Sequence, residues 1–517
     1  MMKTLRLMIW IVVLAFPDTS LSIEHTANVK SNSGKLSLMV LDASTNNTIA
    51  CRVHLLNTKG EPMLFDHFPS YRDHFCCDGE EVLTLRTGRY TYVIERGPEY
   101  NRCKGSFEIE NGSLIEVKKK LTRIIDMASE GWWSGELHVH RPIKDIKLLM
   151  QAENLHIAPI ITWWNRSNMW RNSRIPKTRV VRFNHNYFYD LLGGEDERNG
   201  GAFMYFNMTV PIDITLAQRE YPCPLHFIEQ AKTQSNSWID IEKPFWWDVP
   251  VVLAYGYGDS IGLLNNHCWR SGMLDNEAWG KPRNKKEFPS PWGNGFWSQQ
   301  IYYHILSSGI RIAPSAGSAS GVLDNPVGYN RVYVYTGGND LKYSQWWENL
   351  RKGICFVTNG PLILPNVSGH KPGHVFKAGK GQTIELDVKL HLTSNDPIRC
   401  IEIVKNGSVE RTVPYAEFGK DGNLGTVLFT RSGWFLIRVI ADIQHTFRFA
   451  SIAPYYVEIG DEKHYLSRKS IRFFKDWVDE RIKRIKIEDS KKLEEVLKYH
   501  RKAKQFWQQR LSLANAD

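Results

Sequence analysis

Residues 131–145 read GWWSGELHVHRPIKD, and the fold of the chain turns on how this stretch is interpreted. His138 and His140 are one residue apart, so on an extended strand both imidazoles point to one face while Val139 points to the other. Two imidazoles on one face at a strand end, with the Asp145 carboxylate five positions later, are a ligand set for a divalent metal. The alternative is a strand that carries two histidines without a metal, with Asp145 as the N-cap of the next helix.

The region around this stretch, residues 126–365, alternates short apolar runs with helical stretches. The runs IAPIIT, VPVVLAYG and RVYVYTG are typical of buried strands, whereas KDIKLLMQAENL and WSQQIYYHILSSG are typical of helices. Strands that feed helices through polar loops predict an α/β unit.

The flanking regions have a different texture. Residues 23–125 and 366–460 alternate apolar and polar positions in runs such as KLSLMVLD, EVLTLR and TIELDVKLHL, which predicts two β-sandwiches. The first is similar to the carboxypeptidase-regulatory-like accessory domains of secreted enzymes. Residues 461–517 carry apolar side chains at three- and four-residue spacing, which predicts an amphipathic helical tail.

The first 22 residues, MMKTLRLMIWIVVLAFPDTSLS, have the organisation of a cleaved secretory signal. A basic start is followed by an apolar run of about ten residues and a small-x-small site, so the mature chain is expected to begin near Ile23. That run is too short to span a bilayer, and no later segment is predicted to do so. A secreted or periplasmic location follows.

Because exported proteins are exposed to oxidising conditions, the eight cysteines are candidates for disulfides. Cys51, Cys76, Cys77 and Cys103 lie close together in the N-terminal quarter, which predicts one or two disulfides there. The other cysteines are scattered and are expected to be buried thiols, and no pair has the CxxC spacing of a thiolate zinc site.

The net charge is +11, and much of it lies in the C-terminal region. A basic, amphipathic helix is usually a solvated surface, and an exported protein has little access to nucleic acid. We therefore expect no nucleic-acid partner, and a small molecule or glycan as the ligand.

The motif GELHVHRPIKD resembles the opening motif of the PHP (polymerase and histidinol phosphatase) superfamily. The resemblance is greatest to the exported CehA/McbA-like metallohydrolases and extends over residues 130–365. It implies a seven-stranded PHP-like (β/α)7 barrel, flanked here by the two sandwiches and the helical tail. It also implies that metals held by His, Asp and Glu activate water for attack on a phosphoester, ester or carbamate.

The resemblance carries over to particular residues. His138 and His140 match the first two metal ligands, and Asp145 matches the motif carboxylate, as a general base or a further oxygen ligand. Glu195, in GGEDERNGGA, matches a bridging glutamate, and His267 stands where a strand-end histidine contributes a ligand. For two of these residues a structural role stays open. Glu195 could belong to a solvated loop, and His267 could be a buried histidine whose ring nitrogens are hydrogen-bonded within the protein.

The chain also departs from the family pattern. Ala202 replaces a ligand histidine, the expected Thr-Asp-His-Asn reads Thr162-Trp163-Trp164-Asn165, and Gly-Ser-Asp-x-His reads GSASG at 317–321. The remaining ligands suffice for one divalent metal, zinc, manganese or iron, and not for a cluster. A mononuclear site lowers expectations for phosphoester cleavage and favours an ester, amide or glycan-linked bond.

Several polar and aromatic residues near these motifs are candidates for substrate binding. The indoles of Trp163 and Trp164 suit a sugar ring or another flat ligand, although they equally suit simple filling of the volume that metal ligands vacated. Polar or anionic groups would be bound by the following residues: Arg141, Asn165, Arg166, Asn265 and Arg331.

Two hypotheses follow from the sequence. The first is an exported hydrolase with a single metal held by His138, His140, Glu195 and His267. The second is a catalytically inert protein that keeps the barrel pocket for a carbohydrate or another envelope component. The lost Asp and His residues favour the second hypothesis, and the retained ligands favour the first.

Overall fold

The computed structural model describes residues 32–517. The signal predicted over residues 1–22 lies outside the described residues. Strands account for 38% of the structure and helices for 19%, so the predicted multidomain mixture of helix and sheet is confirmed, with sheet dominant. Among the described helices, none is long and apolar enough to cross a membrane.

The N-terminal unit consists of two sheets around one apolar core. Its strands are β1 Ser33–Asp42, β2 Cys51–Leu56, β3 Ser70–Tyr71, β4 His74–Cys77, β5 Glu80–Arg86, β6 Gly88–Glu95, β7 Cys103–Ile109 and β8 Leu114–Leu121. One sheet has the order β5-β1-β8 and the other β3-β4-β2-β6-β7. The alternation seen in the sequence is the alternation of burial: in β1, Leu36, Leu38 and Val40 face the core.

The central unit alternates strands with helices. Its strands are β9 Trp132–Gly135, β10 Ile157–Trp164, β11 Ser167–Asn168, β12 Val180–Phe183, β13 Tyr187–Arg198, β14 Gly201–Phe206, β15 Trp238–Ile241, β16 Ser260–Leu264, β17 Ala313–Ala316, β18 Arg331–Tyr335 and β19 Cys355–Thr358. Its helices are α1 Ile146–Ala152, α2 Pro224–Lys232, α3 Val249–Ala254, α4 Gly293–Ser307 and α5 Tyr343–Arg351.

Backbone hydrogen bonds close seven extended segments of this unit into a ring. β10 pairs in parallel with β13, β14 is antiparallel to both β13 and β15, and β15, β16 and β17 are successive parallel neighbours. Residues 136–140 complete the ring: Leu137 N–H donates to the Ala316 carbonyl over 2.9 Å, and Val139 forms parallel bridges with Ile160 and Ser320. Six segments therefore run in one direction and β14 runs against them.

Because six segments are parallel, their carboxyl ends meet at one end of the ring. In α/β barrels this is the end where functional side chains gather. The residues that stand there include His138, His140, Trp164, Glu195, Glu242 and His267.

One element differs from the sequence prediction. The run VPVVLAYG, expected to be a buried strand, forms helix α3, and the strand of this region is β16. A short apolar run does not distinguish a buried strand from a buried helix. Pro250 lies in the first turn of α3, where its missing N–H leaves no bond unmade, whereas inside a central strand it would break the ladder.

The C-terminal sandwich continues the sheet of the central unit. Its strands are β20 Leu362–Val367, β21 Val375–Ala378, β22 Ile384–Thr393, β23 Ile398–Lys405, β24 Ser408–Pro414, β25 Asn423–Phe429, β26 Gly433–Ala441, β27 Phe449–Ile452 and β28 Tyr455–Ile459. β20, β22 and β25 form one sheet. β27 pairs with β19, so hydrogen bonds cross the boundary expected near residue 366.

Two helices form the tail: α6 Arg468–Arg484 and α7 Ser490–Ser512. Ser467 caps α6 by accepting from Ser470 N–H, and α7 begins after the Asp489 cap. The tail is packed against the central unit: Trp477 and Trp507 are buried, and Trp507 Nε1 donates to the Pro250 carbonyl over 2.9 Å.

Candidate functional site

Three of the predicted metal ligands meet at the carboxyl end of the ring. His138 Nε2 lies 3.1 Å from His140 Nε2 and 3.6 Å from Glu195 Oε2, and His140 Nε2 lies 3.2 Å from the same carboxylate oxygen. Zinc–ligand bonds of about 2.0–2.1 Å place two ligands of a tetrahedral ion about 3.3 Å apart. The triangle formed by His138 Nε2, His140 Nε2 and Glu195 Oε2 therefore has the size of one face of a metal coordination shell.

The local sequence explains how the triangle forms. His138 and His140 alternate along one extended segment, and β10 separates that segment from β13, which carries Glu195. The two glycines before Glu195 allow β13 to approach β10. A Cβ on Gly194 would lie 1.8 Å from the Trp163 ring, and one on Gly193 would lie 2.5 Å from the Ile160 carbonyl oxygen.

Glu242 supports the triangle from the end of β15, and it matches none of the motifs that predict site residues in the sequence. One oxygen lies 3.3 Å from His138 Nδ1, and the other accepts from Trp246 Nε1 over 2.9 Å. The Lys243 ammonium donates to both oxygens, over 2.7 and 2.5 Å. A hydrogen bond from Nδ1 to a carboxylate leaves the Nε2 lone pair of His138 facing the triangle. The sequence feature that could have indicated Glu242 is its position directly after a buried strand, in WIDIEK.

Electrostatics at the triangle favours a positive charge. Burial acts to lower the pKa of His138, but the carboxylates of Glu195 and Glu242 outweigh it and raise the pKa to about 10. Burial likewise opposes the ionised form of Glu242, and the charges of Lys243 and His138 overcome it and hold the pKa of Glu242 at about 2. Two ionised carboxylates beside two imidazoles attract a cation, and a bound metal ion would take the place of the proton on His138 Nε2.

Glu197 stands beside the triangle, two residues after Glu195 on the same face of β13. Its carboxylate accepts from Trp164 Nε1 over 3.1 Å, and its backbone N–H donates to Asn165 Oδ1 over 2.9 Å. The Trp164 ring lies 4.9 Å from the His140 ring. Burial, together with the charge of Glu195, raises the pKa of Glu197 to about 7.

Two further predicted residues are not part of the triangle. His267 is buried, its ring lies 5.4 Å from Phe245, and burial together with the Lys243 charge lowers its pKa to about 3. Asp145 ends a short 3-10 turn before α1 and makes no side-chain capping bond to that helix. Its carboxylate interacts electrostatically with Arg141.

The predicted substrate-binding residues divide into two groups. Trp164 and Asn165 lie beside the triangle, and Arg166 is exposed on the loop that follows them. Trp163 is only 1% exposed: its Nε1 donates to the Leu192 carbonyl, and its ring packs on Tyr205.

The other three predicted residues bind to the protein itself. Arg141 donates to the Ser70 carbonyl and lies over the Tyr71 ring of the N-terminal unit. Asn265 Nδ2 donates to the Gly262 carbonyl, and Arg331 donates to the carbonyls of Gly328 and Glu153.

A second group that could hold a metal lies in the N-terminal unit and consists of His54, Asp73 and His74. Asp73 lies 2.8 Å from His74 Nδ1 and 3.2 Å from His54 Nδ1. Arg52 Nε donates to His54 Nε2 over 3.1 Å, so the His54 proton belongs on Nδ1, facing Asp73. Hydrogen bonds therefore match the donors and acceptors of this group without an ion.

No protein-family model matches the chain, and no curated protein matches it. Among solved structures it is similar to the Bacillus anthracis TIE protein, at 20% identity and a TM-score of 0.15, over 22% of this chain. That match spans only 20% of the length of the TIE chain. It is also similar to fibronectin(III)-like modules of Clostridium thermocellum CbhA, at 15% identity and a TM-score of 0.13, over 18% of this chain and 96% of that one. Similarities at these TM-scores establish neither a fold nor a function.

Proposed function

We propose that the protein is a metal-dependent hydrolase with one divalent ion bound by His138, His140 and Glu195. The observation that carries the proposal is the triangle of Nε2, Nε2 and Oε2 atoms, with edges of 3.1, 3.2 and 3.6 Å. Apart from these two imidazoles, no hydrogen-bond donor of the described residues meets Glu195 Oε2. A buried carboxylate oxygen held in this way is what an ion would complete.

The closed ring gives separate support to the PHP resemblance. Seven extended segments with a ligand set at the carboxyl ends of the parallel ones are what a PHP-like barrel would have. The donor set of two imidazoles and one carboxylate suits zinc, manganese or iron.

The chemistry divides between the ion and the protein. A bound ion would supply an activated water at neutral pH. Glu242 keeps the proton on His138 Nδ1 and fixes the ring, and Lys243 compensates the charge of Glu242. Glu197 faces the triangle and is placed to hold a proton between the water and the leaving group, a role that the sequence suggested for Asp145. The net reaction breaks the ester, amide or glycan-linked bond, adds the hydroxyl of water to its carbon and adds the proton of water to the leaving oxygen or nitrogen.

Metal analysis of untagged protein tests the proposal. We expect about one equivalent in the wild type and loss of the ion in His138→Ala and His140→Ala. His185→Ala is the matched control, because its side chain is 78% exposed and it precedes β13, whose far end carries Glu195. His54→Ala examines the second group and should also keep the ion. Loss of the ion in His54→Ala, with retention of the ion in His140→Ala, would place the metal site in the N-terminal unit.

The alternative is a catalytically inert protein that binds a carbohydrate in the ring. The observation in its favour is Trp163, which stands at a family ligand position and occupies the space above Gly194. A wild-type protein that takes up no zinc, manganese or iron would support this alternative.

A further inference from the structure

A basic loop leaves the ring beside the triangle. Residues 165–179, NRSNMWRNSRIPKTR, contain five cations and no acid. The exposed cations of the loop are Arg166, Arg171, Arg174 and Lys177. No carboxylate of the described residues forms an ion pair with them, although Asp213 is near enough to Arg171 for their charges to interact. Exposed cations without ion-pair partners attract anions to this loop, which starts beside Trp164.

The loop is folded against the strand that precedes it. β11 pairs with Trp163 and Trp164, and Trp170 Nε1 donates to Thr162 Oγ1 over 2.8 Å. Arg179 donates to the Thr209 carbonyl over 3.1 Å at the other end of the loop. The guanidinium groups of the loop are therefore carried on an anchored segment.

An exposed indole lies on the loop between β16 and α4 and stacks on Trp246, the residue that donates to Glu242 behind the triangle. Trp279 is 39% exposed and stacks on Trp246 at 4.8 Å with 28° between the rings. Its Nε1 donates to the Arg198 carbonyl over 3.0 Å. Arg198 follows Glu195 by three residues on β13, which corresponds to about 10 Å. Arg219 lies 5.9 Å from the centre of the Trp279 ring.

We propose that the substrate is an acidic polysaccharide bearing carboxylate or sulfate groups, an inference that rests on the proposed hydrolase function. Guanidinium groups recognise carboxylate and sulfate through paired hydrogen bonds. A fixed indole offers a flat face to the C–H side of a sugar ring. The basic loop follows β10, and Trp279 lies on the loop that follows β16, so a ligand that reaches both extends over more than one sugar unit.

The same charges would attract a nucleic acid, but the site itself disfavours one. The triangle offers ligands for a single ion, whereas enzymes that cleave phosphodiesters commonly use two ions about 3.5–4 Å apart. Non-specific binding of single strands also relies on successive aromatic platforms, and Trp279 is the exposed tryptophan of the described residues.

Binding assays with the full chain test the inference. The probes are polygalacturonate, chondroitin sulfate, neutral dextran and single-stranded oligo(dT). All affinities are compared in the His140→Ala background, which lacks a metal ligand, so that no glycan is cleaved during the assay. Arg166→Gln/Arg174→Gln should weaken acidic-glycan binding about ten-fold or more, and Trp279→Ala about three- to ten-fold. Arg468→Gln/Lys469→Gln, which removes the same charge from an exposed part of the tail, should leave the affinity within about two-fold.

The outcomes separate the two proposals. Equal affinity for dextran, tightest binding of oligo(dT), or an equal loss in the tail control would overturn the inference while leaving the hydrolase intact. Acidic-glycan binding that depends on the loop and on Trp279, in a protein that takes up no metal, would overturn the hydrolase and leave an acidic-glycan-binding protein.

Discussion

At the scale of single residues, the site depends on groups that differ in how readily the sequence predicts them. His138 and His140 follow from the spacing alone, because alternate residues of a strand share a face. Glu242 does not, because nothing in WIDIEK indicates which histidine its carboxylate would reach. Its contact with His138 Nδ1 makes it the residue whose removal tests the metal site without removing a ligand.

We expect Glu242→Gln to weaken metal binding about 10- to 100-fold, the usual effect of losing a carboxylate behind a ligating histidine. The amide would no longer hold the proton on His138 Nδ1 as strongly, and Lys243 would lose its partner. Competition with a chelator of known affinity measures the change. Glu348→Gln, an exposed residue of α5, is the control. Unchanged affinity in Glu242→Gln would mean that the charge of Glu242 does not support metal binding by His138.

At the scale of elements, close approach between strands decides what the site can contain. The Gly193-Gly194 pair lets β13 lie against β10 with the Trp163 indole over the backbone. The N-terminal unit shows a second close approach: Cys51 and Cys77 are directly opposed on β2 and β4, with their Sγ atoms 3.8 Å apart. Cys76 faces the other way and packs with α1. Of the four cysteines predicted to form disulfides, Cys51 and Cys77 are therefore the pair that the structure places opposite each other.

Gly194→Ala should lower the free energy of unfolding by about 1–3 kcal/mol, the usual range for overpacking. The new methyl group would overlap the Trp163 ring, and Glu195 next to it would be displaced. Urea unfolding measures the loss, and metal content reports the displacement. The loss in the double variant Gly194→Ala/Trp163→Leu should be smaller than the sum of the losses in the two single variants, because the smaller side chain vacates the space that the new methyl group needs. Additive losses would place the clash elsewhere.

Oxidised glutathione should convert the thiols of Cys51 and Cys77 into a disulfide, with the released electrons and protons reducing the glutathione. The loop of 26 residues predicts a gain of about 3 kcal/mol in the free energy of unfolding. Alkylation under denaturing conditions, followed by mass spectrometry, identifies the pair. Cys355, a buried thiol of the central unit, should be alkylated without reduction. A bond that involves Cys103 instead would contradict the observed register.

At the scale of the whole molecule, charged networks join the units. Arg52 of the N-terminal unit pairs with Glu95 and with Glu153 of the central unit. Arg102 pairs with Asp396 of the C-terminal sandwich, which also accepts from Arg448. The tail is held by buried Asp248, which accepts from Arg481 Nε over 2.7 Å and lies 3.1 Å from His500 Nε2. These contacts make the tail part of the central unit.

Asp248→Asn should lower the free energy of unfolding at pH 7 by about 3–5 kcal/mol, because Arg481 would keep a buried charge with one partner fewer. Burial acts to raise the pKa of Asp248, but Arg481 and His500 outweigh it and hold the pKa below its usual value. The carboxylate therefore stabilises the fold above about pH 4, and this contribution falls as the pH drops further.

Urea unfolding at pH 7 and pH 3 measures this dependence. The difference between the wild type and Asp248→Asn should narrow at the lower pH. The exposed pair of Glu494 and Arg501 provides the control, since Glu494→Gln should change stability little at either pH. A difference of equal size at both pH values would show that the ionised carboxylate is not what holds the tail.

The sequence by itself determined the features that depend on local periodicity. Alternation predicted the two sheet-rich flanking regions, helical spacing predicted the tail, and the HxH pattern predicted two imidazoles on one face. All of these follow from side-chain direction along a single segment. Local pattern failed where it was ambiguous, as in the VPVVLAYG run that forms α3.

Only the tertiary structure decided which residues meet. The triangle joins the segment 136–140 to β13, and Glu242 reaches it from β15, through a ring closed by hydrogen bonds between segments far apart in the chain. The same closure left Asp145 and His267 outside the triangle, whereas Glu197 accompanies Glu195 on β13. Periodicity specifies the face of a strand but not its neighbours, because pairing depends on contacts across the whole chain.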